Sequence, residues 1–254
     1  MKIVKDILGR VFALWAILVF SISLLVILIP IWIISRQKEP RRTINAFKVF
    51  HPWISFFFIM TGVKRRLVGL ERFGNGANYI VICNHNCFMD VPLSSCGIPV
   101  PNRTIAKAEM AKIPLFKVIY RAGSVLVDRK SESSRKKSYV QMRKVLQMGL
   151  TMCIYPEGTR NKGREPMQKF QDGAFRLAVE SGKDILPAVL FNTIKVMPRN
   201  KSFYFWPHPV EMHFLEPVTV AGKTPEEVKQ ESFEIMRDYY VANGGMAHEA
   251  GSAN

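Results

Sequence analysis

Tyr79-Ile-Val-Ile-Cys83-Asn84-His85-Asn86-Cys87-Phe88-Met89-Asp90 joins a short apolar run to an imidazole and, five residues later, a carboxylate. An apolar run of this length, stopped by asparagine and histidine, fits a buried strand. In a regular helix, residues five apart point about 140° away from one another at 3.6 residues per turn. His85 and Asp90 therefore cannot share a helix face. The spacing predicts His85 in the turn before a helix, with Asp90 on the early turns of that helix and pointing back at the ring. A carboxylate on one ring nitrogen fixes tautomer and direction and leaves the other nitrogen free to take a proton, as a general base requires. The pair also has a plain structural reading, a histidine satisfied by a neighbouring aspartate, so other motifs must decide.

Outward from this stretch, strand-like and helix-like runs alternate. The pattern predicts a helix from about Cys87, a helix across Glu109 to Arg121 and a strand at Ser124 to Val127. A helix over Ser134 to Met148, stopped by Gly149, and a strand at Thr151 to Tyr155 come next. Gly173 to Glu180 reads as a helix, Ile185 to Phe191 as a strand, and Ser202 to Trp206 and Val210 to Leu215 as late strands. Thr224-Pro225-Glu226-Glu227 supplies an N-cap and a first-turn proline for a last helix reaching about Val241. Strands separated by helices specify an α/β fold, a mostly parallel mixed sheet flanked by helices on both faces. Such sheets place their chemistry on the loops leaving strand C-termini. His85 falls there, as do Asp128-Arg129 and Tyr155-Pro156-Glu157-Gly158-Thr159-Arg160. A proline that ends a strand, a glycine open to unusual backbone angles and an arginine that forks onto oxyanions make a reasonable phosphate-binding turn. Singly, each has a duller explanation: an ordinary turn, or a surface ion-pair partner in the case of Arg129.

The chain has 254 residues, 48% of them hydrophobic, enough for one α/β domain and an additional segment. That segment is at the front. Val11 to Ser35 is uncharged and as a helix would span roughly 37 Å, enough to cross a bilayer core. Lys2, Lys5 and Arg10 would suit a secretory signal, but the apolar run is too long for one and no small-residue cleavage site follows, so a retained anchor is expected. A second block, Val49 to Val63, contains His51 and Pro52 and is short for an independent span. It reads as a re-entrant or interfacial helix, with a buried core helix as the alternative. Arg36, Lys38, Arg41 and Arg42 lie between the blocks, and Lys64, Arg65 and Arg66 follow the second. Basic residues on all flanks suit a shallow hairpin in one leaflet, at the cytoplasmic face of the inner membrane; a single true span is the alternative. The expected organisation is a membrane-anchoring helical hairpin at 1–63, a catalytic domain at 64–242 and a flexible tail at 243–254.

A net charge of +16 implies polyanionic partners. Cations abut the apolar blocks and recur at Arg129, Lys130, Arg135, Lys136 and Lys137, which favours anionic membrane. No nucleic-acid-binding motif is present. The cysteines at 83, 87, 96 and 153 form no Cys-x-x-Cys pair and the histidines are scattered, so no metal site and no cofactor is expected. Cys83 and Cys153 read as buried small residues of a reduced compartment, and Cys87 is a weak candidate nucleophile.

In order and spacing, the set resembles the glycerolipid acyltransferases, and within them the bacterial 1-acyl-sn-glycerol-3-phosphate acyltransferases. Asn84-His85 through Asp90 is similar to their His-x4-Asp block, Gly123-Ser-Val-Leu-Val-Asp128-Arg129 to the second, Tyr155-Pro-Glu-Gly-Thr-Arg160 to the third and Leu186-Pro187-Ala188-Val189 to the fourth. Ile105-Ala106-Lys107-Ala108-Glu109 is similar to a lysine-bearing segment between the first two blocks, and the apolar front to the family's two-helix membrane motif. The resemblance implies that His85 takes the proton of an acceptor hydroxyl and that Asp90 orients it. It implies that Arg129 and Arg160, with Lys107, hold the acceptor's phosphate, while Glu157, Gly158 and Thr159 shape the acceptor site and Pro187 supports the pocket. The substrates implied are lysophosphatidic acid and acyl-CoA or acyl carrier protein. Tyr155 stands where the family commonly has phenylalanine, Cys87 where it has serine and Ala188 where it has a larger aliphatic residue, departures that bear on acyl fit and acceptor identity. Alternatives from the residues are transfer to another lysolipid such as lyso-ornithine lipid, a thioesterase in which water replaces the alcohol, and a non-catalytic binder of anionic lipid.

Overall fold

The computed structural model describes residues 2–74 and 78–245. Among the described residues, seven strands, β1 Arg65–Val68, β2 Ile80–Cys83, β3 Asn102–Lys107, β4 Ser124–Val127, β5 Thr151–Ile154, β6 Ile185–Phe191 and β7 Val210–Phe214, form one sheet. Its order is β1-β7-β6-β2-β5-β3-β4, and every neighbouring pair is parallel except β6 and β7. All residues of β2, β5 and β6 are buried, as expected of central parallel strands covered on both faces. Their side chains alternate. Val81, Cys83, Cys153 and Leu186 point into one core, and Ile80, Ile82, Met152 and Ile185 into a second on the other face.

The first core is covered by α1 Lys2–Ile34, α2 Arg41–Met60, α3 Asp90–Gly97 and α4 Phe116–Gly123. The second is covered by α5 Glu132–Gln147, α6 Gly173–Ser181 and α8 Pro225–Ala242, while α7 Thr193–Val196 is a single turn after β6. Thr224 caps α8 through a reciprocal bond with Glu227, as its sequence predicts.

Among the described residues, α1 is the one helix long and apolar enough to cross a membrane. One side of it, through Ala13, Ala16, Val19, Ile27 and Ile31, belongs to the first core. The other side exposes Ile7, Leu14, Leu18, Leu25, Val26 and Ile29, an apolar surface of the kind that meets lipid. The second block is a longer helix than its apolar residues suggest. α2 lays Trp53, Ile54, Phe57 and Phe58 against the first core and leaves Phe56, Ile59 and Met60 exposed. Trp15 of α1 donates to the Met60 carbonyl at 2.8 Å, so the exposed apolar residues of the two helices adjoin there. The turn between them is tied to the sheet, because Glu39 accepts from Arg42, Thr43 and, at 2.7 Å, from Arg103 of β3. Residues 2–63 therefore share a core with the sheet.

Three expectations are corrected. Ser202 to Trp206 is irregular rather than a strand: Pro198, Pro207 and Pro209 interrupt any ladder around it, and the tract is instead bound to α1 and α7 by Phe205 N–H on Gly9 O at 3.0 Å and Trp206 N–H on Val196 O at 2.9 Å. The helix expected over Glu109 to Arg121 is broken at Pro114 into a 3-10 turn, Ala108–Lys112, and α4. The helix expected from Cys87 starts at Asp90. Of the expected tail, residues 246–254 lie outside the described residues.

Candidate active site

β2 ends because Asn84 replaces backbone pairing with its side chain. Its Nδ2 donates to Leu190 O at 3.1 Å and its Oδ1 accepts from Leu190 N–H at 2.7 Å. The chain then leaves the sheet, and His85 sits in the connection to α3. Asp90, in the first turn of α3, points back, and its Oδ2 lies 2.8 Å from His85 Nδ1. The same oxygen accepts the N–H groups of Asn86 and, at 2.7 Å, Cys87. A carboxylate oxygen held by two backbone donors is an acceptor toward the ring, so in the neutral imidazole Nδ1 carries the hydrogen and Nε2 has the lone pair. Asp90 is fully buried and the His85 side chain is 17% exposed, which leaves the imidazole reachable at the rim of the sheet.

β5 lies beside β2 and brings the second wall. The Tyr155 ring stacks on the imidazole with centroids 4.3 Å apart, and its hydroxyl bonds Ser94 Oγ of α3 at 2.7 Å. After Pro156 the chain turns through Gly158 at φ +72, a conformation glycine adopts without strain. Gly158 N–H closes the turn on Tyr155 O at 3.0 Å. Thr159 is exposed, and Arg160 lays its guanidinium 4.0 Å from the centre of the Phe88 ring, inside the His85-to-Asp90 segment.

Glu157 lies beneath the turn and faces the protein. Its Oε1 accepts His85 N–H at 2.7 Å and its Oε2 accepts Gln168 N–H at 2.9 Å, while Asn161 N–H returns a bond to His85 O at 2.7 Å. This carboxylate clasps the histidine loop to the loop after β5. Burial raises its pKa to about 7, against the lowering influence of the two backbone donors. An unfolded glutamate titrates near 4.3, so between those values the native state holds a proton that the unfolded chain has released, and stability falls as pH rises through that window. Glu157→Gln removes the titration. Its unfolding free energy relative to the parent should rise between about pH 5 and pH 8, by about 2 kcal/mol. Thermal unfolding in detergent at the two pH values checks this, and a pH-independent difference would refute it.

The remaining candidates lie along the same rim but farther away. Lys107 ends β3 and is exposed, and Arg129 follows β4 and is exposed. Strands stand about 4.8 Å apart, so these residues are displaced from β2 by roughly 10 and 14 Å in the plane of the sheet. Partial burial lowers the Arg129 pKa against the opposing influence of Glu109. Asp128 organises the turn ahead of α5, its Oδ1 accepting Lys130 N–H at 3.0 Å. Pro187 is buried in β6, paired with Ile82 of β2, and supports the sheet just before the histidine loop. The Cys87 thiol is buried, and that burial, with Asp90 beside it, pushes its pKa far up. Burial therefore disfavours a thiolate at this position.

One neighbour carries no sequence signal. Arg199, in the loop between α7 and β7, reaches the histidine loop and bonds Asn86 through both its carbonyl and its side chain. It stands outside every motif segment, and only the folded topology brings it there.

The Acyltransferase family model matches residues 64–191, the span from β1 through β6. A 1-acyl-sn-glycerol-3-phosphate acyltransferase of Helicobacter pylori is 28% identical over 236 residues, covering 91% of this chain and 95% of that one. The enzyme of the same name from Borreliella burgdorferi is 28% identical over 197 residues, covering 77% and 78%. Among solved structures, the 1-acyl-sn-glycerophosphate (LPA) acyltransferase PlsC from Thermotoga maritima superposes with a TM-score of 0.76 at 22% identity, over 96% of this chain and 98% of that one. It is similar in fold along nearly its whole length.

Proposed function

Because the chain belongs to the acyltransferase family, we propose that it moves a fatty acyl group from a thioester donor to the free hydroxyl of 1-acylglycerol 3-phosphate, forming phosphatidate. Relatives bearing that activity in their names align along most of both chains. The observation that carries the mechanism is the His85 to Asp90 contact at 2.8 Å, with the second ring nitrogen left available.

In this reading Nε2 of His85 takes the proton as the acceptor oxygen attacks the thioester carbonyl. The tetrahedral adduct collapses by breaking the carbon–sulfur bond, and the imidazolium returns the proton to the departing thiolate. Asp90 keeps the ring oriented and balances its transient charge. A positioned base contributes roughly 10² to 10⁴-fold, and an activated thioester makes a covalent enzyme intermediate unnecessary. Arg160 holds the acceptor's phosphate beside the ring, with Arg129 and Lys107 extending the positive rim. Gly158 and Thr159 shape the turn that presents Arg160, and Glu157 sets its position against His85.

The donor is acyl-CoA or acyl carrier protein, both cytoplasmic species. We therefore place the enzyme at the cytoplasmic face of the inner membrane. The segment before residue 64 attaches it there, and the domain from 64 to 242 carries the chemistry. The apolar outer side of α1 and the net charge of +16 suit anionic lipid.

The test is thiol release by purified enzyme in mixed micelles, with each donor, against lysophosphatidate, monoacylglycerol, lyso-ornithine lipid or no acceptor. Release should require lysophosphatidate and coincide with phosphatidate formation. Equal release without any lysolipid would make the protein a thioesterase, and preference for lyso-ornithine lipid would reassign the acceptor.

A further inference from the structure

We propose that Arg199 is a positioning residue for this reaction, holding His85 and Asp90 in place by pinning the peptide unit between Asn86 and Cys87. The inference rests on the reading of His85 as base and adds a residue that none of the motif segments contains. Arg199 Nε donates to Asn86 O at 2.8 Å, and Nη2 donates to Asn86 Oδ1 at 3.3 Å. The other end of that peptide unit, Cys87 N–H, donates to Asp90 Oδ2 at 2.7 Å, and this oxygen also faces His85 Nδ1 at 2.8 Å. A peptide unit is planar, so fixing its carbonyl fixes the direction of its N–H. The chain of contacts runs from guanidinium to peptide, from peptide to carboxylate and from carboxylate to imidazole. Each bond polarises the next.

The support comes from outside the histidine loop. The segment carrying Arg199 is fastened to α1, where Lys201 pairs with Asp6 at 2.6 Å and Phe205 N–H bonds Gly9 O at 3.0 Å. Tyr240 of α8 also lies near the Asn86 side chain. The positive charge of Arg199 also faces the buried carboxylates of Asp90 and Glu157. An arginine is suited to this position because its planar fork engages two acceptors at once, which a lysine does not reproduce.

The experiment is a kinetic cycle with Arg199→Ala, Arg199→Lys, Asp90→Ala and the two double variants, using lysophosphatidate and acyl-CoA in mixed micelles. Arg199→Ala should lower kcat by roughly 10 to 100-fold, the scale of a misplaced reacting group, while KM for lysophosphatidate stays within about twofold. Arg199→Lys should fall between alanine and the parent. In the Asp90→Ala background, which removes the acceptor that links the peptide to the ring, the loss should shrink below about threefold, because the effect passes through Asp90. A purely structural arginine would change the melting temperature and the folded fraction and would keep its full cost in that background. Should Arg199→Ala fail to fold, the lysine variant, with a matched circular dichroism spectrum, carries the same cycle. A parental kcat in folded Arg199 variants, or an undiminished loss in the Asp90→Ala background, overturns the proposal. His85→Ala measured alongside separates the two levels: if it is inactive while the Arg199 variants are unimpaired, only the positioning role falls, and if it is active, the base itself is misassigned.

Discussion

His85→Ala should reduce acyl transfer by roughly 10² to 10⁴-fold, the contribution of a positioned base, while leaving KM for both substrates nearly unchanged. The ring touches Tyr155 on one face and Asp90 at one nitrogen, so its loss opens a small gap beneath an already accessible rim and should leave the fold intact. Asp90→Asn is the sharper variant. Three donors converge on Asp90 Oδ2: the N–H groups of Asn86 and Cys87 and the imidazole Nδ1–H. An asparagine oxygen can still accept these bonds, so the loop should keep its shape. A neutral amide cannot balance the imidazolium formed as the proton is taken. Rate is then lost without loss of structure, by roughly 10 to 10³-fold, most of it in kcat. Initial rates at saturating donor and acceptor, with melting temperature as the folding control, check both variants. A His85→Ala enzyme working near the parental rate would remove the mechanism.

The parts of this fold legible in the sequence are those whose physics is local. β2 and β6 stand out as unbroken apolar runs because helices cover both faces of the central sheet. The capped start of α8 is written in Thr224 to Glu227. The contact between His85 and Asp90 follows from a spacing that forbids one helix face. By contrast, β3 is masked by Arg103, which the sequence presents as a surface cation. It is buried because Glu39 and the carbonyls of Arg121 and Ser124 receive its hydrogens, and those partners lie 64, 18 and 21 residues away. β1 lies within the basic run after α2, at a sheet edge where alternation is weak. The aromatic tract at Ser202 to Trp206 has strand composition, but its burial comes from α1, nearly two hundred residues earlier. Glu157 is visible as a residue of the turn, yet its clasp on His85 depends on β2 and β5 being neighbours. Arg199 depends on the whole path of the chain back to the sheet.

Arg160→Ala and Arg129→Ala should differ, and the difference tests how the rim divides its work. Arg160 sits over Phe88, itself 60% exposed, within the same segment as His85 and Asp90. A phosphate bound there would be held a few atoms from the hydroxyl being activated. Arg129 is three strands away, with Glu109 as its electrostatic partner, and can reach only a longer or more displaced part of the acceptor. A hydrogen bond to a charged group is worth about 1.5 to 3 kcal/mol, or roughly 10 to 150-fold in kcat/KM at 1.36 kcal/mol per tenfold. Arg160→Ala should lose most of that range on lysophosphatidate, with part of the loss in kcat because the phosphate anchors the geometry of attack. Arg129→Ala should lose about tenfold or less, chiefly in KM. Arg160→Lys should recover charge without the fork and fall between. Monoacylglycerol separates anchoring from general damage, since an acceptor without phosphate has nothing to lose at either arginine. If Arg129→Ala proves the more damaging, the acceptor lies along the β3 and β4 end of the rim, and the phosphate site belongs beside Lys107 and Arg129.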